Sequence, residues 1–242
     1  FSLLIVLALV AVFSSCKTPS TAATAATPGE LAVAETAEPA AAPAPELVVK
    51  TPPLPAGLKA FDFGNAFAWW DFAQVPGSKN VSLSRGVTFA SGSEDKDFPD
   101  PLLSDYAFAD EMTVTVSGLD KGLYRAAVIA QNVGAGMVPA RDFEILANDI
   151  SVVKVAVTPE WYFSRNGFFY GVQFDDLPST AYWDRYVEPV APWRQFTFQS
   201  DGRLVLKLSK CRLYALVIAP QSAVSDRDFS AFIEATQAAR KA

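Results

Sequence analysis

Side-chain alternation with a period of two runs through residues 58–220 and restricts that stretch to strands with one buried and one wet face. Met112, Val114 and Val116 point one way, and Thr113, Thr115 and Ser117 the other. Leu204, Leu206 and Leu208 oppose Arg203, Val205 and Lys207. Phe143, Ile145 and Ala147 alternate with Asp142, Glu144 and Leu146, and Val153, Val155 and Val157 follow the same rule. Tyr124–Gln131 and Leu213–Ala219 are apolar almost throughout, as strands buried on both faces would be.

Turn signals punctuate these runs. Asp120-Lys121-Gly122 links one pair of strands and Asn148-Asp149 sits between two more. Asp201-Gly202, flanked by Phe198 and Leu204, predicts a hairpin. No long helical pattern interrupts the region, so the expected architecture is all-β, an antiparallel β-sandwich.

Charge and residue usage narrow the function classes. The net charge is −6 with no run of basic residues, which argues against a nucleic-acid partner. There is no histidine, so the commonest general base and metal ligand are missing and no histidine-based triad can form. Asp175 and Asp176 are adjacent, and neighbouring strand residues face opposite ways, so they do not read as an acid/base pair. Asp95, Asp97, Asp100 and Asp105 form an acidic stretch whose oxygens suit calcium, but the spacing matches no defined calcium loop and a solvated turn accounts for it. Gly134-Ala135-Gly136 has Pro139 where a third glycine would stand, so it is not a nucleotide loop. No cofactor and no metal site are expected from these residues, with a structural calcium at the acidic stretch as the alternative.

The front of the chain is organised differently. Leu3 to Phe13 is apolar and uncharged, about half the length of a membrane span, and is followed by Ser14-Ser15-Cys16-Lys17. This resembles the lipobox of bacterial lipoproteins, although Phe13 stands where leucine is usual. The resemblance implies a signal peptide over residues 1–15, cleavage before Cys16, lipidation of Cys16 and an extracytoplasmic protein held to the membrane. The chain opens on Phe1 without a methionine or basic residues, and a missing front is expected. Residues 17–57 are almost all Ala, Pro, Thr, Glu and Val, with no aromatic residue. Such a segment buries too little to offset its ordering entropy, and 41 residues of it, where extended, reach on the order of 100 Å. Residues 16–57 therefore read as an anchored linker. With Cys16 lipidated, Cys211 has no partner and reads as a small buried hydrophobe.

The sandwich region carries a second resemblance. It opens Phe61-Asp62-Phe63-Gly64, continues through Leu103-Ser104-Asp105-Tyr106 and Met112-Thr113-Val114-Thr115-Val116 into Gly118-Leu119-Asp120-Lys121-Gly122, then Arg141-Asp142-Phe143-Glu144-Ile145, and closes with Asp201-Gly202-Arg203-Leu204. This order resembles the galactose-binding-like jelly rolls attached to polysaccharide-degrading esterases and agarases. The resemblance implies a jelly-roll sandwich over residues 58–220, carbohydrate binding in many members, and protein or membrane binding in others.

Twelve of the thirty aromatic residues fall between Trp161 and Phe196, more than a simple connection needs. A sugar presents an apolar C–H face and a rim of hydroxyls, and Trp and Tyr combine an apolar body with a polar tip. Trp161, Tyr162, Tyr182, Trp183 and Tyr186 lie in segments broken by proline, glycine and serine, which read as loops. Arg165, Asn166, Asp184 and Arg185 are the nearby polar candidates. Trp193 shares its strand face with Gln195 and Thr197, the wetter side, against Arg194, Phe196 and Phe198. Taken singly, each of these aromatics reads first as core or a loop plug, and the recognition reading belongs to the cluster as a whole. Residues 221–242 predict a short amphipathic helix capped by Ser225 or Asp226, with Phe229, Phe232, Ile233 and Thr236 or Gln237 on one face; it either packs on the sandwich or leads to a further domain. The expected function is non-catalytic binding of a polysaccharide or oligosaccharide by a membrane-anchored lipoprotein. The alternatives are a structural or protein-interaction domain of the cell envelope, and an enzyme using carboxylates alone.

Overall fold

A computed structural model describes residues 53–64, 71–91, 101–103, 105–132, 142–156 and 191–241. The described strands are β1 (Lys59–Asp62), β2 (Ala73–Gln74), β3 (Val81–Leu83), β4 (Thr88–Ser91), β5 (Asp105–Asn132), β6 (Phe143–Ala147), β7 (Ile150–Val155) and β8 (Trp193–Pro220). A helix, α1 (Asp226–Lys241), closes the chain. All pairings are antiparallel except the two-residue contact of β1 with β2.

The two 28-residue strands, β5 and β8, build both layers of a jelly-roll sandwich. Residues 107–117 of β5 pair with 203–213 of β8 in one layer, where β3 and β4 flank β5 and the β6–β7 hairpin flanks β8. Residues 121–129 of β5 pair with 193–201 of β8 in the other layer. There β8 returns over 211–220 along the second side of β5 and carries β1 on its far edge. Two bends make this route. At one end Gly118, Gly122 and Gly202 have φ of 70°, 148° and 128°, values open to glycine. At the other, Lys210 sits at φ 55° as β8 turns back.

This corrects the hairpin expected at Asp201-Gly202. The segments on either side of it pair with different parts of β5 and never with each other. Asp-Gly supplies the left-handed backbone a hairpin needs, but it serves equally where a strand folds over from one layer to the other. The Asp120-Lys121-Gly122 turn belongs to the same corner, with Ser117 opposite Arg203 and Lys121 opposite Asp201. The Asn148 amide braces this fold-over: its Nδ2 donates to the Gln199 carbonyl and its Oδ1 accepts from the Val205 N–H, both at 2.9 Å. Asn148 and Asp149, at φ 47° and 68°, do form the expected two-residue hairpin between β6 and β7.

Burial follows the alternation. Met112, Val114, Val116, Leu204, Leu206, Leu208, Phe143, Ile145 and Ala147 are all inside, and Val157 lies outside the described residues. The interior cluster combines these with Ala126, Val128, Leu216 and Ile218 of the second layer. The continuously apolar stretches have a second explanation. Ala127, Ile129, Ala215, Val217 and Ala219 form the outer face of the second layer, which packs against Phe229, Phe232 and Ile233 of α1. Alanine on that face lets the helix approach closely. Ser225 caps α1, its Oγ accepting from the Asp228 N–H at 3.1 Å. That hydroxyl, then Arg227, draws the Asp228 carboxyl below the usual carboxylate range.

Asp105, expected in a solvated turn, is instead fully buried at the start of β5. Its acidic companions Asp95, Asp97 and Asp100 lie outside the described residues.

Cys211 is a free thiol buried in the sandwich interior. Burial pushes it up to about 12 from 9.0, with Arg194 opposing and Glu111 reinforcing. A raised folded-state value means that its stabilising contribution is complete below pH 9 and is lost as pH climbs towards 12. By pH 10.5 the wild type should lose about 2 kcal/mol more stability than Cys211→Ala, relative to each at pH 8. Urea midpoints at the two pH values measure this, and parallel losses would assign the alkaline sensitivity to other groups.

Candidate functional site

Trp193 is the one aromatic chosen from the sequence for ligand contact that the described residues include. Trp161, Tyr162, Arg165, Tyr182, Trp183, Asp184, Arg185 and Tyr186 lie outside them, as does Cys16. The face assignment around Trp193 holds. Gln195 and Thr197 are exposed, whereas Phe198 is buried and Phe196 packs half-buried on the interior. Arg194 also turns from the wet face: its guanidinium lies 5.3 Å from the Phe143 ring centre and donates to the Ala130 carbonyl at 2.7 Å. Trp193 itself is half-buried and packs against the helix–sheet layer.

Between this strand and α1 runs an open groove. One part, about 380 Å3, is lined by Pro192, Trp193 and Gln195 on the strand side and Ile233, Glu234, Gln237 and Ala238 on the helix side. Gln195 also lines the adjoining part, about 310 Å3, with Arg125, Phe196 and Thr197 facing Asp226 and Ser230. The helix side is one stripe, since residues three and four apart share a face. The strand side is the wet face of β8.

The chemistry of the groove is mixed. The Trp193 Nε1–H is buried without a hydrogen-bond partner, an uncommon state for a tryptophan. Gln195 and Glu234 are exposed on opposite walls. Gln237 accepts from Arg240 Nη1 at 2.9 Å, which leaves its amide N–H groups as donors. At the far end Arg125 pairs with Asp226 and donates to the Val224 carbonyl at 3.0 Å, pinning the start of α1. Glu234 and Asp226 are eight residues apart, about 12 Å along the helix axis. Among the described residues no group of three acidic or cysteine side chains is placed to hold a metal ion.

A second aromatic cluster lies at the opposite end of the second layer from the glycine corner. The Tyr214 hydroxyl donates to Gln131 Oε1 at 2.7 Å, the Tyr106 and Tyr214 rings are 5.5 Å apart, and the Arg212 guanidinium sits 4.4 Å over Tyr106. Tyr214 is buried and these contacts tie β5 to β8, so the cluster reads as structural.

Sequence reasoning missed Glu234 and Ser230 and offered Gln237 only as an alternative to Thr236 on the packed face, because the α1 pattern marks its buried face and is silent on what the other side borders; Thr236 is the buried one. The alternation did assign Gln195 to the wet face with Trp193.

No family model and no curated protein matches the chain. Among solved structures, a Bacillus subtilis protein is similar at 16% identity and TM-score 0.40, over 67% of this chain and 40% of that one. A plant receptor-like kinase is similar at 12% and 0.42, over 69% and 43%. A family 35 carbohydrate-binding module from Clostridium thermocellum is similar at 11% and 0.32, over 58% and 92%. The chain thus spans about two fifths of the length of the first two proteins. Likenesses this distant transfer no site residue.

Proposed function

We propose that this chain is a non-catalytic, sugar-binding module, and that the groove between β8 and α1 is where the sugar lies. One observation carries the reading. The groove joins an indole to a primary amide and a carboxylate on facing walls. An indole suits the C–H face of a pyranose, and amide and carboxylate groups suit its hydroxyls. The volume is of the size that holds a small ligand.

Gln195→Ala and Glu234→Ala should each weaken binding about tenfold, the scale of one lost hydrogen bond to an amide or charged group. Both side chains are exposed, so the melting temperature should move by no more than about 2 °C. Retention on immobilised plant, algal and host polysaccharides, followed by calorimetric titration, measures the effect. A folded protein retained by none of them, or a double variant that binds as tightly as wild type, would overturn the reading.

The motif at Cys16 adds a place to this activity: a lipid-anchored protein outside the cytoplasmic membrane, its domain held out on the proline-rich linker. Expressed in a bacterial host behind a complete lipoprotein leader, the protein should partition with membranes, and Cys16→Ala should release it to the soluble fraction. Equal partitioning of the two would remove the anchor.

A further inference from the structure

Resting on the sugar-binding reading, we infer that the groove takes an internal stretch of a linear, non-acidic glycan, and neither a chain end nor a polyuronate. The first ground is length. The two parts of the groove share Gln195 and form one channel. From Asp226 to Ala238 the helix wall runs twelve residues, about 18 Å. From Trp193 to Thr197 the strand wall runs four steps, about 13 Å. Even the shorter wall outruns a single pyranose ring. The channel is open to solvent, and among its described lining residues nothing marks a blind subsite that would select a terminal sugar.

The second ground is charge. Arg125 is the lone cation among the described lining residues, and Asp226 neutralises it. Glu234 faces the Trp193 end without such a partner among the described residues. A chain of uronates or sulfated sugars would bring its anions against Glu234 and find, among the described lining residues, no free guanidinium or ammonium to offset them. Hydroxyl-rich neutral units find donors in Gln195 and Gln237 and acceptors in Glu234 and Ser230.

The test is calorimetry of the purified protein with a mono-, di-, tetra- and hexasaccharide of cellulose, mannan and β-galactan type, and with a tetragalacturonide. For at least one neutral series, affinity should rise about tenfold or more from the mono- to the tetrasaccharide as further rings gain contacts. Borohydride reduction of the terminal unit of the hexasaccharide should leave its affinity unchanged. The tetragalacturonide should bind at least about tenfold more weakly than the best neutral tetrasaccharide, and Glu234→Gln should narrow that gap. Ser230→Ala should weaken the tetra- and hexasaccharide and leave the monosaccharide unmoved, whereas Gln195→Ala weakens all of them. A monosaccharide that binds as tightly as the tetrasaccharide, or a tetragalacturonide that binds as well as its neutral counterpart, overturns the inference while leaving sugar binding in place. No binding by any oligosaccharide in a folded sample overturns the underlying reading as well.

Discussion

Gly64→Ala should cost about 3–5 kcal/mol, although it adds a single methyl group. Gly64 follows β1, and Phe63 before it is fully buried, with its N–H donating to the Tyr214 carbonyl at 2.7 Å. A Cβ on Gly64 would fall onto the Asp105 carboxyl group, against its carbon and both oxygens. Asp105 is fully buried and already engaged in polar contacts, so it cannot swing into solvent to make room. The backbone at Gly64 is not left-handed, so the objection to alanine is space and not φ. For a domain of this size the loss corresponds to a fall in melting temperature of roughly 10 °C or more. Removing the carboxyl should relieve the clash: with Asp105→Ala already present, the further step Gly64→Ala should cost less than about 1 kcal/mol. Thermal melts of the two single variants and the double variant close the cycle. Additive losses would show that the two positions do not meet.

The same contact explains why two short motifs were legible as a pattern but not as a structure. Phe61-Asp62-Phe63-Gly64 and Leu103-Ser104-Asp105-Tyr106 stand some forty residues apart in the chain. Their co-occurrence marked a kind of fold, yet no local rule says that the glycine of one makes space for the acid of the other. Asp105 therefore passed for one more member of an acidic turn. Local propensity reads a residue's neighbours in sequence, and this residue's environment is set by β1.

The strands themselves were read correctly because alternation is a direct record of one-sided burial, and Met112, Val114 and Val116 carry it without ambiguity. The corner at Asp201-Gly202 was not, because dihedral demand at a turn does not specify the partner of the strand that follows. Hairpin and fold-over need similar backbone and differ only in long-range pairing. The continuously apolar stretches were read as central strands, which they are, but the layer that buries their second face came from the far end of the chain. Leu213–Ala219 and Phe229–Ile233 each announced a buried surface, and neither announced that it belonged to the other. The groove arises at the margin of that layer, so half of its lining was beyond the reach of any one segment's pattern.

That dependence can be tested through Phe229. Its ring is almost fully buried between α1 and the outer face of the sheet, beside Phe232, which in turn stacks on Phe72 at 6.3 Å. Phe229→Ala removes enough buried surface to cost about 3–5 kcal/mol if the helix stays docked. The helix has another course. Sixteen residues are too few to hold a helix in water without packing, so α1 can detach and unravel while the sandwich interior, which shares no residue with this layer, stays closed. Amide exchange over 226–241 should then accelerate by at least about a hundredfold, corresponding to some 3 kcal/mol of lost docking, while exchange over 112–116 and 204–208 changes little. Sugar affinity should fall with it, because Ile233, Glu234, Gln237 and Ala238 form one wall of the groove and leave with the helix. Gln195→Ala, in contrast, should lower affinity with α1 exchange unchanged. Fast exchange in α1 with full sugar affinity would place the binding surface elsewhere on the sandwich.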